Sequence, residues 1–317
     1  MSNRKIPRRL YKYRAFNSLT LDMLVAGNIF FADPATFNDP LDTKPCLSTD
    51  LDTVDLEGIL RQMIEQRIHA EMTAAATAIK YRGPKTLNHI ENLSQNLTES
   101  RIAEIRYYAT DPSIETVDPL KVSLGHHIEE ELLRRYGSGI VSLAARETCP
   151  LMWSHYGDQH KGVCIGYSIP DDTAANLHKV NYGGARFIEA SAVAAMPRGD
   201  QDAKRRVDEA FLTRKAYDWR YEREWRLIGD RGFQDSPLRL EEIIFGLRCA
   251  NTVRFTVVSA LNSRPGRIKF YEIEEQSGKF LLSRRPLYTD ELMASYPRDC
   301  RAAMEDFEPI SLDDLKN

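Results

Sequence analysis

The sequence predicts an α+β fold interrupted by a helical insert, on three observations. Short aromatic and β-branched runs, bounded by Gly, Pro and Asn, occur towards both ends of the chain and read as strands. Residues 52–137 carry apolar stripes at helical spacing. No GxGxxG, P-loop or GxSxG motif occurs, which removes the simplest Rossmann, NTPase and α/β-hydrolase readings. The 317 residues, 42 % hydrophobic and 28 % charged, suffice for a sizeable core. The chain is read as one domain over 1–317 with the insert within it.

Residues 10–14 (LYKYR) form the first expected strand. Asn17 or Ser18 caps a short helix carrying Leu21, Leu24 and Val25, and Gly27 ends it. Residues 29–32 are a second strand. Pro34, Pro40 and the Asn38-Asp39-Pro40 step then turn residues 33–42 into a structured loop. In the insert, Leu56, Ile59, Leu60, Met63, Ile64 and Ile68 fall on one helical face, and Gly83-Pro84 breaks the pattern. Leu87, Ile90, Leu93 and Leu97, then Ile102 and Ile105, predict a second helix, either continuous or broken between the two sets; a third runs over 120–136 and stops at Gly137. Beyond it, strands are expected at 139–145, 162–169, 219–228, 241–246 and 267–273, the last paired with 280–282 as a hairpin. Helices are expected at 149–156, 211–217 and 251–261. The last fourteen residues hold five acids and one lysine and read as a solvated tail.

Composition narrows function. A net charge of −3 argues against a whole-protein polyanion binder. Cys46, Cys149, Cys164, Cys249 and Cys300 form no CxxC pair, so no zinc–thiolate site is expected and the cysteines read as reduced. The basic start (Arg4, Lys5, Arg8, Arg9) is not followed by an apolar stretch, and no run is long enough to cross a membrane. A cytoplasmic protein without a membrane partner is expected.

Three segments concentrate residues that could carry chemistry. The first, 152–163, holds Trp153, His155, Tyr156 and His160. The two histidines stand five apart, not at the four-residue spacing of a helical metal pair. This cluster is either a cleft wall or a core plug. The second, 218–228, contains Tyr221-Glu-Arg-Glu-Trp-Arg. In a strand, Glu222, Glu224, Arg226 and Ile228 share one face, and Arg223, Trp225 and Leu227 the other. Glu224 with Arg226 is then either an ion-paired ladder or a carboxylate held ready to stabilise a developing cation. The third, Asn38 to Asp42, offers short acceptors, either as turn chemistry or as part of a site. Asp39, Asp42, His155 and His160 could alternatively serve a metal-assisted nuclease or other hydrolase. A non-catalytic interaction module is a third reading.

Together, residues 10–14 with 31–42, residues 151–162 and residues 221–228 resemble the bacterial family known as domain of unknown function 2971. More distantly, Leu-Tyr-x-Tyr in a first strand, a helix, then an aromatic strand is similar to the opening of ADP-ribosyltransferase-like folds. That resemblance implies a mixed, mostly antiparallel sheet. It also implies an enzyme that splits NAD or transfers its ADP-ribose, with a dinucleotide substrate, a protein or nucleic-acid acceptor, no metal, and a role as a toxin or antiphage effector. On the matching positions it implies Glu224, Glu222 and His155 as catalytic, Glu224 foremost. Lys12, Tyr13, Arg14, Asn38, Asp39, Trp153, Tyr156 and Arg226 would bind the dinucleotide.

Overall fold

In the computed structural model, the described residues are 6–298 except 82, 84, 114, 263 and 265. The acidic tail, Cys300, Arg4, Lys5 and Pro84 lie outside them. Strand β1 (Leu10–Arg14) is followed by helix α1 (Ser18–Ala26) and β2 (Asn28–Phe31), in the expected order. The Asn17 side chain accepts the Thr20 N–H at 2.8 Å, and Gly27, at φ 75°, returns its N–H to the Met23 carbonyl. After β3 (Cys46–Ser48) come three long helices: α2 (Thr53–Ala78), α3 (Thr86–Tyr108) and α4 (Pro119–Arg135). Asp52 and Asp118 cap the first and third through their side chains.

The chain then returns to strands: β4 (Gly139–Ala144), the short helix α5 (Pro150–His155) with Pro150 in its first turn, and β5 (Val163–Ser168). Short strands β6 (Leu177–Lys179), β7 (Asn181–Tyr182) and β8 (Phe187–Glu189) lead into α6 (Ala190–Ala195) and α7 (Gln201–Leu212). Next are β9 (Arg214–Lys215), β10 (Glu224–Gly229), β11 (Gly232–Asp235), β12 (Arg239–Phe245), α8 (Asn251–Leu261), β13 (Lys269–Glu275), β14 (Leu282–Pro286) and α9 (Thr289–Ala294).

Eight strands form one sheet in the order β14-β13-β12-β5-β1-β4-β10-β6. Within this sheet, among the described residues, only β12 and β13 are parallel neighbours, and α8 makes the crossover such a pair needs. The fold is therefore α+β with a mostly antiparallel sheet. One sheet face, with Leu10, Val141, Ile165, Trp225 and Ile243, packs on Met23 and Leu24 of α1 and Val257 and Val258 of α8. The other face, with Tyr11, Tyr13, Cys164 and Ile244, packs on Trp153 of α5.

Three expected elements are corrected. The strand expected at 280–282 begins only at Leu282 and pairs with β13 through Pro286. Residues 211–217 are not a helix: α7 ends at Leu212, and 214–215 pair with β7 as β9. Nor is 219–228 one strand. Residues 217–222 wind as a 3₁₀ turn, Arg223 sits at φ 47°, and only then does β10 begin. The competing force is a pair of side-chain contacts, one distant and one nearby: Trp219 Nε1 donates to Asp39 at 2.8 Å, and Glu222 is drawn to the Lys215 ammonium at 2.6 Å.

The central seam of the sheet is open. β1 matches β5 along five residue pairs but meets β4 at one, Tyr11 opposite Ala144. Past that pair the two strands part, and Lys12 Nζ reaches across to the Ser142 carbonyl at 3.0 Å.

Candidate active site

A cavity of about 440 Å³ opens at this seam, within the usual range for a small-molecule site. β1 supplies Lys12 and Tyr13, β4 supplies Ser142, and α5 with the residue after it supplies His155 and Tyr156. The loop after β2 brings Phe37, Asn38 and Asp42, and the segment from β9 to β10 brings Lys215, Glu222 and Glu224.

The acidic wall is built on Lys215. Its ammonium lies 2.6 Å from Glu222, 3.0 Å from Glu224 and 3.4 Å from Asp42. Arg226, with no exposed surface, closes the rear: Nε donates to Glu224 at 2.9 Å, Nη2 to Asp42 at 2.6 Å and Nη1 to the Leu212 carbonyl at 3.0 Å. Three carboxylates thus face Lys215 and Arg226, and Lys12 stands in the same cavity as a third cation that feels the Glu224 charge. Asp42 Oδ1 is a buried acceptor with no partner among the described residues.

The two glutamates are driven apart in acidity. Burial raises Glu222, Lys215 opposes, and the Glu224 charge raises it further, so its pKa lies above the ordinary 4.5. Burial would raise Glu224 too, but Arg226 and Lys215 pull it down to about 2. Tyr156 donates to Glu222 at 2.7 Å and accepts from Asn38 at 3.2 Å; burial and the Glu222 charge raise its phenol. Across the cavity, burial and then Arg14 lower Lys12 to about 8.

Of the residues expected from sequence, Lys12, Tyr13, Asn38, His155, Tyr156, Glu222 and Glu224 line this cavity. Arg226 stands behind Glu224 rather than in the wall. Arg14 does not line the cavity: it shares the Lys12 face of β1 but, at the end of the strand, its Nε donates to Thr20 of α1 at 3.3 Å. Trp153 is a core residue, wholly buried, with Nε1 on the Glu147 carbonyl at 2.8 Å and its ring edge-on to Tyr13. Asp39 is occupied by Trp219. His160 stacks on Trp153 beyond a left-handed turn at 158–160, so it does not join His155. Among the described residues no three His, Cys, Asp or Glu side chains gather to hold a metal ion.

Sequence reasoning missed Lys215 and the structural part of Asp42. One signal pointed to the lysine: two buried glutamates need more positive charge than Arg226 alone provides.

The fold and site define an α+β protein with an acidic, aromatic cavity in an open sheet seam. A family model described as "Protein of unknown function (DUF2971)" matches residues 152–227. That span carries His155, Tyr156, Lys215, Glu222, Glu224 and Arg226, whereas β1 and the 33–42 loop lie outside it. No curated protein and no solved structure matches the chain. Among the described residues no helix is long and apolar enough to cross a membrane.

Proposed function

We propose that the cavity cleaves the nicotinamide–ribose bond of NAD, passing the ADP-ribosyl group to water or to an acceptor hydroxyl. The observation that carries this reading is the Glu222–Glu224 pair: two carboxylates on one lysine, in the wall of an aromatic-lined cavity, with acidities shifted in opposite directions. The resemblance of LYKYR and Glu-x-Glu to ADP-ribosyltransferase-like segments points the same way.

The chemistry runs as follows on this chain's groups. The C–N bond breaks, and its electron pair leaves with nicotinamide as a neutral molecule. Positive charge builds on the ribose, and the ionised Glu224 carboxylate stabilises it locally. An oxygen nucleophile forms the new bond to the same carbon, and its proton passes to Glu222, whose raised pKa suits a general base. Glu224, held ionised, supplies charge rather than a proton site. Asp42 Oδ1 offers an unused acceptor to a ribose hydroxyl, and Phe37 and Tyr156 offer faces to the nicotinamide ring. Such an activity suits a toxin or antiphage effector, which depletes a nucleotide or marks a macromolecule.

Incubation with NAD labelled in both halves tests the reading, with released nicotinamide and labelled macromolecules measured separately. Glu222→Gln should lower turnover by about a hundredfold or more while NAD still binds. No nicotinamide release by the wild type, with or without a cell extract as acceptor source, would overturn it.

A further inference from the structure

A second pocket, of about 330 Å³, shares Lys215 with the first. Asp42 lines the seam cavity, while its neighbours Leu41 and Thr43 line this one, so the loop is the partition between them. The lining of the second pocket contains Lys44, Arg186, Arg214 and Lys215 and no Asp or Glu. This concentration stands in a chain of net charge −3.

Lys215 is already neutralised by its three carboxylates, but the other three cations are not. Among the described residues, no carboxylate pairs with Lys44, Arg186 or Arg214. The two guanidiniums are fixed through backbone carbonyls instead: Arg186 Nη2 donates to Lys44 O at 2.7 Å and Arg214 Nη1 to Ala185 O at 2.5 Å. A guanidinium has five N–H donors, so each keeps a held orientation and spare donors. Gly183 and Gly184, both at positive φ (81° and 85°), turn the chain between β7 and Arg186 and so bring Arg186 alongside Arg214. Two oriented guanidiniums and an ammonium around one concavity match the charge and geometry of a phosphoryl group better than those of a single carboxylate.

We propose that this pocket binds a phosphoryl anion: a phosphate ester or diphosphate held by Lys44, Arg186 and Arg214. It stands apart from the reaction assigned to the seam cavity, because none of the three residues belongs to that cavity's wall. Two sources share the chemistry: the diphosphate of a dinucleotide seated next door, or a separate phosphorylated small molecule.

The probe is inorganic pyrophosphate, titrated calorimetrically into the full chain. Wild type should bind it, more weakly as salt is raised. The Arg186→Gln/Arg214→Gln variant should lose at least about tenfold in affinity with an unchanged circular dichroism spectrum. Should that variant not fold, the exposed Lys44→Gln carries the same test. His155→Ala, in the seam cavity's wall and outside this pocket's lining, should bind pyrophosphate as wild type does, which separates this site from the proposed catalysis. Displacement of NAD from Glu222→Gln by pyrophosphate assigns the site to the dinucleotide's diphosphate; undisturbed NAD binding assigns it to a separate phosphorylated ligand. Either result upholds a phosphoryl site. Absence of pyrophosphate binding, or equal affinity in the arginine variants, overturns it.

Discussion

Arg226 holds Glu224 and Asp42 at once, without contact with water. A charge so placed is stable only while its partners remain, and removing one side of a buried pair leaves the other desolvated and unanswered. Arg226→Met should therefore lower unfolding free energy by about 3–5 kcal/mol in urea titration. A loss below about 1 kcal/mol would mean that solvent reaches the cluster. The glutamates add opposite pH dependences. Glu224, at about 2 against an ordinary 4.5, contributes stability that is complete above pH 4.5 and lost as the pH falls towards 2. Glu222 titrates above 4.5 in the folded chain, so the unfolded chain releases its proton first, and stability falls as the pH rises through that window. Urea midpoints against pH should lose the acid limb in Glu224→Gln and the declining limb above pH 4.5 in Glu222→Gln. Superimposable profiles for the two variants would contradict the division of charge between them.

At the scale of elements, Arg223 decides where the site's strand begins. Its φ of 47° breaks the ladder one residue before Glu224 and lets Glu222 turn back to Lys215. The side chain is exposed, so the backbone conformation is the feature to test. Arg223→Gly should stabilise by about 0.5–1 kcal/mol, and Arg223→Val should cost about 1–2 kcal/mol, by thermal or urea melting. The reverse order would show that the turn is not strained. This element also marks the limit of what sequence reveals. Helices α2, α4 and α8, the Asn17 cap and the Gly27 stop were legible because periodicity and capping are local. The alternation of 219–228 was legible too, and from Glu224 onward it holds: Glu224 and Arg226 face the ion cluster, Trp225 and Leu227 the core. It fails before Glu224 because the force that bends the chain there comes from Lys215 and Asp39, residues that no local pattern links to the segment. Arg14 and Trp153 were misplaced for a related reason. Residue type suggested a site, but a hydrogen bond to Thr20 of α1 holds Arg14 and burial in the core holds Trp153, and both depend on neighbours distant from the motif.

At the scale of the molecule, the helical insert builds a second core and contributes nothing to the seam cavity's lining. No residue of α2, α3 or α4 lines the seam cavity, so Glu65→Ala should leave NAD turnover unchanged. The same helices are not detachable. Leu56, Leu60 and Ile64 of α2 and Leu124, Ile128 and Leu132 of α4 share one buried cluster with Ile188, Val193, Val207 and Phe211 from the segment between β8 and α7. Tyr136, at the end of α4, stacks on Phe211 with rings 4.5 Å apart. That segment leads directly into β9, which carries Lys215. Excising residues 53–136 would expose those four side chains at about 1.5–3 kcal/mol each. Their sum approaches the whole stability of an ordinary domain, about 5–15 kcal/mol. The shortened chain should therefore fail to give a soluble, cooperatively melting product, whereas a chain carrying Glu65→Ala melts as wild type does. A soluble excised form with wild-type NAD turnover would show that the strands and α7 hold Lys215 in place without the insert's core.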